Sequence, residues 1–363
     1  MFGTQLSRLG RTLATVVMCI AAIPAQACTN FLLFAADGSP VYARSLEYAL
    51  VMPTEVVVIP RNYEFAGIRP DNAPGAKWTS RYGVVGVMSL GEPYVSDGMN
   101  EMGLAGGALY FPGFAEYTPP ADADPQALAP WEFLTWVLTN FATVAEVKAA
   151  VTDAQIVDLQ TPKINFTLPF HFPFHDANGA SIVIEPVGGK LVVYDNPVGV
   201  LTNSPPFDWH MNNIRNYVNI SAVDAPSLVI AGQTFAPLGQ GSGLLGIPGD
   251  PTPPSRFIRA VGYVASAKQM PDGPQTVRLA EHILNNFDIP VGFISTAEKG
   301  GQLEFTQWSS IADLRARVYY IKTYEDQVLR AVDLNSFDLD AKTLRSSPMT
   351  PGTAPPALQF SQP

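Results

Sequence analysis

Cys28 follows Ala25-Gln26-Ala27, a small-residue stretch that reads as a secretory cleavage site, and it opens the β-prone run Thr29 to Phe34. Cleavage there constrains the fold more than any other feature, because the remaining chain then begins inside a sheet with a cysteine as its first residue. Such a residue carries both a thiol and a free α-amine. The thiolate is the attacking form of a cysteine of pKa about 8.5, and an α-amine of pKa about 7.7–8.0 is a base within its reach. The preceding residues fit a leader: Arg8 and Arg11 form a positive n-region, and Leu13 to Ile23 is apolar but too short to span a bilayer comfortably. An uncleaved anchor and a lipidated Cys28 are the alternatives. A lipidation site normally places a branched aliphatic residue where this chain has Ala25.

Taking residues 1–27 from the 363 of the chain leaves enough for one large domain or two ordinary ones, and 47% hydrophobic residues supply a sizeable core. Cys19 departs with the leader, so the processed chain keeps one thiol and forms no internal disulfide despite an oxidising destination. The whole chain has 22 Lys+Arg against 32 Asp+Glu; the leader holds two Arg and no acid, so the formal charge goes from −10 to −12 on processing. Nucleic acid and anionic membranes are excluded as partners on that balance. His171 and His175 are four apart, but Pro173 between them argues against a helix presenting both, and no metal site is expected.

Turn signals divide the processed chain into short strands. Thr29 to Phe34, Val41 to Ser45, Glu55 to Ile59, Gly83 to Met88 and Leu104 to Tyr110 are rich in β-branched or aromatic residues, with Asp37-Gly38 between the first two. A helical stretch follows with Phe133, Leu134, Val137, Leu138 and Phe141 on one face, and Thr143 to Glu146 reads as a capping box for a second helix. Strands return at Phe170 to His175, Ser181 to Pro186 and Lys190 to Tyr194, joined by Asn178-Gly179 and Gly188-Gly189. Helices are expected at Asp208 to Val218, Ser255 to Lys268 and Gln275 to Asn286, then strands at Gln302 to Trp308 and Arg317 to Tyr324. This order gives a layered α+β domain, with packed sheets inside and helices outside. Ser347 to Pro363, with five prolines, reads as a disordered or draped tail, leaving 28–346 as a single catalytic domain.

Cys28-Thr29-Asn30-Phe31 is followed, sixteen residues after the cysteine, by Arg44-Ser45-Leu46-Glu47. Three later segments run in order: Asn100 to Leu104 into Leu109-Tyr110-Phe111-Pro112-Gly113, then Leu201 to Trp209, then Pro248 to Phe257. Together they resemble the choloylglycine hydrolase family of N-terminal nucleophile hydrolases, the penicillin V acylases and bile salt hydrolases, over nearly the whole processed chain. The resemblance implies a four-layer αββα sandwich, a homotetramer, no cofactor, and a periplasmic location as in Gram-negative members. It makes Cys28 the nucleophile with its own α-amine as base, places Arg44 beside the thiol, and has Asn203 and a donor at Tyr110 face the developing oxyanion. Arg256 would complete the polar cluster. Many relatives carry aspartate where this chain has Glu47, the place that holds the α-amine, and glutamate reaches one methylene farther.

Each of these residues also has an ordinary reading: Arg44 and Arg256 as surface cations, Asn203 as a turn residue before Ser-Pro-Pro, Tyr110 as core. Gly241-Ser242-Gly243-Leu244-Leu245-Gly246 matches a dinucleotide fingerprint in letters only, since the prolines that follow block the helix such a site requires. A flexible loop near the active-site mouth, leading to Arg256, is the expectation there. The implied activity is hydrolysis of a linear non-peptide amide with an apolar acyl group. Penicillin V stands first because of Tyr110, with conjugated bile acids and long-chain acyl-homoserine lactones as alternatives. A non-catalytic exported protein that captures apolar amides is the competing class.

Overall fold

The computed structural model describes residues 27–51, 53–69, 74–89, 91–163, 165–295 and 301–349; the leader and most of the C-terminal tail lie outside the described residues. Two large antiparallel sheets form its centre. The first runs, in spatial order, Val200–Leu201, Ala27–Phe34, Pro40–Tyr48, Leu303–Asp313, Val318–Thr323 and Arg330–Asp333, with Ile294–Ser295 added beside Leu303–Asp313. The second runs Lys190–Asp195, Ser181–Val187, Phe170–His175, Ala105–Gly107, Val95–Asn100, Val84–Ser89, Thr54–Ile59 and Arg345–Pro348, with Leu109–Tyr110 paired to Phe170–His175.

Period-two alternation sorts the side chains of the second sheet between two cores. Val56, Val58, Val85 and Val87 pack with Phe31, Val41 and Ile311 of the first sheet, whereas Val57, Ile59 and Val84 pack with Phe133, Leu134 and Val137 of a helix. Both faces are buried, which is why Thr54–Ile59 reads as a continuous apolar run. Phe133–Asn140 covers this sheet, followed by Val144–Ala150 from the same side of the core; Pro253–Ser266 and Gly273–Leu284 cover the outer face of the first. The result is the expected four-layer αββα arrangement.

Local chemistry fixes these elements. The Thr143 hydroxyl accepts from Glu146 N–H at 3.2 Å and the Glu146 carboxylate reaches back to Ala142 N–H at 2.9 Å, a capping box displaced by one residue. Asp272 caps Gly273–Leu284 through Gln275 N–H at 2.9 Å, and prolines occupy the first turns of both long helices. Gly188 and Gly189, at φ 59° and 72°, form the two-residue turn that joins Ser181–Val187 to Lys190–Asp195.

Four expectations change. Leu104 to Tyr110 is broken at Ala108 into two short strands. The tail expected from Ser347 starts inside an edge strand, because Ser347 and Pro348 pair with Val56 and Glu55. Asp208 to Val218 is a helix only over Phe207–Asn213, tightening to a 3₁₀ turn at Ile214–Tyr217. Gly241 to Gly246 is a loop with a short 3₁₀ turn, as expected, but none of it lines the cavity at Cys28. It belongs to an exposed arm with the hairpin Leu228–Ile230 and Gln233–Phe235.

Candidate active site

In the hairpin Ala27–Phe34 with Pro40–Tyr48, Cys28 pairs with Leu46 and Asn30 with Arg44, while Ala27 pairs with Glu47 and Thr29 with Ser45. Alternation therefore sends Cys28, Arg44, Leu46 and Tyr48 into the space between the sheets, and Glu47 and Thr29 toward the helices. Cys28 and Arg44 open into a cavity of about 360 Å³ whose apolar wall includes Leu46, Ile68, Tyr94, Trp131, Leu168 and Phe170. Lys163 and Glu92, an ion pair at 3.1 Å, add charge to that wall. Two larger grooves of about 710 and 730 Å³ elsewhere hold neither cysteine nor histidine, so chemistry points to the smaller one.

The Arg44 guanidinium lies fully buried with Nη2 3.6 Å from the Cys28 Sγ, donating also to the Ala108 and Ser96 carbonyls at 2.7 and 2.6 Å. It stacks over Trp308, 5.2 Å from the ring centre. The break at Ala108 thus has a use: a carbonyl released from the ladder binds the cation. Burial alone would depress Arg44, but Cys28 and Asp97 beside it outweigh that and hold the guanidinium above its ordinary value. Asp97, 3.4 Å from Arg44 Nη1, is itself held by Ser310 at 2.8 Å, Tyr319 at 2.6 Å and the Tyr42 hydroxyl. Sequence reading missed Asp97, whose strand Val95–Asn100 shows no alternation.

Asn203 sits two residues beyond the short strand Val200–Leu201 that pairs with Asn30 and Phe31, and its side chain reaches the start of the neighbouring strand. Its Oδ1 accepts from Cys28 N–H at 2.8 Å and from Arg256 Nη2 at 2.6 Å, and its Nδ2 donates to the Tyr110 carbonyl at 2.8 Å. Arg256, in the first turns of Pro253–Ser266, also donates to the Cys28 carbonyl and to Thr29 Oγ1 at 2.9 Å. His210 Nε2 fixes the Asn203 backbone through its carbonyl at 2.9 Å; burial pushes this imidazole down to about 4, so it is neutral. Neither buried arginine is a surface cation. Tyr110 contributes its carbonyl; its hydroxyl is buried without a partner and the residue does not line the cavity.

With Ala27 still joined to Cys28, the Cys28 nitrogen is bonded by Asn203 and not by Glu47, the residue expected to hold it. Glu47 Oε1 accepts from Thr306 Oγ1 at 3.1 Å. Glu47 lies on the helix face, where burial pushes its carboxyl up to about 8 against the pull of Arg256. Glu304 shares that face; burial raises it to about 7, again against Arg256. Among the described residues no group of His, Cys, Asp or Glu is arranged to hold a metal ion, and no helix is long and apolar enough to cross a membrane.

The model of the choloylglycine hydrolase family of linear amide C–N hydrolases matches residues 28–347. A bile salt hydrolase/transferase of Clostridium perfringens is 35% identical over 323 residues, 88% of this chain and 96% of that protein. A crystal structure of a variant of the conjugated bile acid hydrolase from Clostridium perfringens superposes with a TM-score of 0.81 at 33% identity, covering 92% of this chain and all of the other. The penicillin V acylase of Agrobacterium tumefaciens superposes with a TM-score of 0.71 at 25% identity, over 88% of this chain and 90% of the other. With a thiol, a buried guanidinium and an amide side chain converging at one end of the central sheet, and with these matches along its length, the chain belongs to the choloylglycine hydrolase family and is a linear amide C–N hydrolase.

Proposed function

We propose that the chain is exported, that removal of residues 1–27 leaves Cys28 as the first residue, and that its thiolate attacks an amide whose apolar acyl part fills the cavity. The observation that carries this reading is the Cys28 Sγ held 3.6 Å from the Arg44 guanidinium at the mouth of an apolar cavity. The thiol proton passes to the α-amine, sulfur adds to the carbonyl, and the amine leaves with a proton returned to it. Water activated by the same α-amine then hydrolyses the thioester. Asn203 Nδ2 bonds the Tyr110 carbonyl through one N–H and keeps a second for the oxyanion. Arg256 anchors the Cys28 carbonyl and so fixes the strand end that carries both reacting groups.

We place conjugated bile acids first as the acyl class and penicillin V second, reversing the order suggested by Tyr110. That residue is turned from the cavity, and identity is 35% to the bile salt hydrolase/transferase against 25% to the penicillin V acylase. Penicillin V keeps its place because the acylase shares the fold over most of both chains. Assembly as a homotetramer and a periplasmic location belong to the same proposal. Support for assembly is the exposed arm, with Leu228, Val229, Ile230, Phe235 and Leu238 all at least half open to solvent.

The test compares kcat/KM for glycocholate, penicillin V and a long-chain acyl-homoserine lactone, with intact mass of the exported protein. A mass beginning at Cys28 and fastest turnover of glycocholate are expected. A chain that keeps Met1, or an acylated Cys28, defeats the maturation step; fastest turnover of penicillin V reverses the substrate order. A non-catalytic binding protein would show unchanged ligand affinity and no product after the thiol is blocked or left free.

A further inference from the structure

The peptide N–H of Cys28 is a single donor, and Asn203 Oδ1 satisfies it. Maturation at Ala27, on which this inference rests, changes that nitrogen into an ammonium with three donors. Two of them are new, and buried donors need partners. The helix face of the hairpin offers two buried carboxylate oxygens that have none: Glu47 Oε2 and Glu304 Oε1, on side chains 0% and 3% exposed. Both lie against Ala27. Glu47 pairs with it in the sheet, and Glu304 faces its backbone N–H. Thr306 sits between the two, paired with Glu47 in register and bonded to Glu47 Oε1 at 3.1 Å. A register shift between Thr306 and Trp308 re-aims this stretch of strand, a device that recurs beside active sites.

We infer that Glu304 is a positioning residue for the α-ammonium of mature Cys28, holding it jointly with Glu47 and Asn203. The two partnerless oxygens offer each new donor an acceptor, and the departure of Ala27 releases a further one on Glu304. When the thiol gives up its proton, the S–H bond breaks and an N–H bond forms at the α-amine, producing thiolate and ammonium with no outside reactant. Glu304 and Glu47 favour the ammonium on one face of the strand while Arg44 favours the thiolate on the other. Arg256 is the cation facing both carboxylates from the covering helix, and Glu304 in turn raises Glu47. Burial lifts both carboxyls above their ordinary range, so an arriving ammonium draws the pair into its charged form.

The experiment measures the pH profile of kcat/KM for wild type, Glu304→Gln and Glu304→Asp on whichever of glycocholate and penicillin V turns over faster, with intact mass of each protein. Losing an anion beside the amine lowers the amine's pKa, so the acid limb of Glu304→Gln moves down by about one pH unit. Glu304→Asp, which keeps the charge, returns the limb toward the wild-type position. A Cys28 terminus with an unmoved acid limb in Glu304→Gln overturns the role of Glu304 alone. Equal displacement in both variants also overturns it, since size rather than charge then matters. A terminus elsewhere than Cys28 in the wild type overturns the maturation reading and this inference together.

Discussion

The two faces of the hairpin Ala27–Tyr48 carry polar clusters finished to different degrees. Toward the second sheet, both Asp97 oxygens are doubly engaged, by Ser310 and Tyr319 on one and by Tyr42 and Arg44 on the other. Toward the helices, Glu47 and Glu304 each keep an oxygen without a partner. A carboxylate engaged on both oxygens in a dry interior holds a charge at a fixed place, which is what the proposed thiolate needs from Arg44, although Arg44 Nε itself has no partner. A carboxylate with a partnerless oxygen costs stability until a proton or a new donor arrives, which suits the α-ammonium that the proposed processing creates. Asn203 joins the two, since it touches the Cys28 nitrogen and Arg256.

Substitutions can break this contrast, beginning with the largest effect. Cys28→Ala is expected to lower turnover by a factor on the order of 10⁶, with the circular dichroism spectrum and melting temperature kept. Asp97→Asn leaves the buried Arg44 charge uncompensated, and urea unfolding should register a loss of about 3–5 kcal/mol; a loss below 1 kcal/mol would show that the carbonyls of Ser96 and Ala108 suffice. Asn203→Ala removes the amide at the junction of the faces, and kcat should fall about 10²–10³-fold with folding intact.

The smallest effect sharpens the comparison on the helix face. Glu47 has an ordinary value of 4.5 and is raised to about 8 in the folded chain, so the folded state binds the extra proton. Its contribution to stability is complete below pH 4.5 and is lost as pH rises through 8. Stability of the unprocessed chain, followed by urea midpoint between pH 5 and 8, should therefore decline with pH, and Glu47→Gln should flatten the slope. An unchanged slope would mean that Glu47 is already ionised in the folded chain.

The legible parts of the fold are those set by neighbours in sequence. Thr143 with Glu146, Asn178-Gly179 and Gly188-Gly189 act within one turn of chain, and each marks an element that forms. Cys28, Arg44, Asn203 and Arg256 were legible because a resemblance supplied what spacing alone does not, and they do converge. Val95–Asn100 was invisible because Asp97 finds Tyr42, Ser310 and Tyr319 across 55, 213 and 222 residues, so its polarity signals a loop locally and a buried network only in three dimensions. Glu304 hid for the opposite reason: in Leu303–Asp313 it passes for an ordinary polar residue near a strand end. Glu47 was expected at the α-amine, and its pairing with Ala27 sets it on the helix face of the hairpin, next to the residue that precedes that nitrogen.

Ser96 and Ala108 grip Arg44 with main-chain oxygens, and the same two residues stand in the wall of the cavity at Cys28. Every L-amino acid brings an identical carbonyl, so exchange at either position re-contours the substrate chamber without loosening the cation. Under the proposed function, selectivity and reactivity are thereby written in different parts of the same residues.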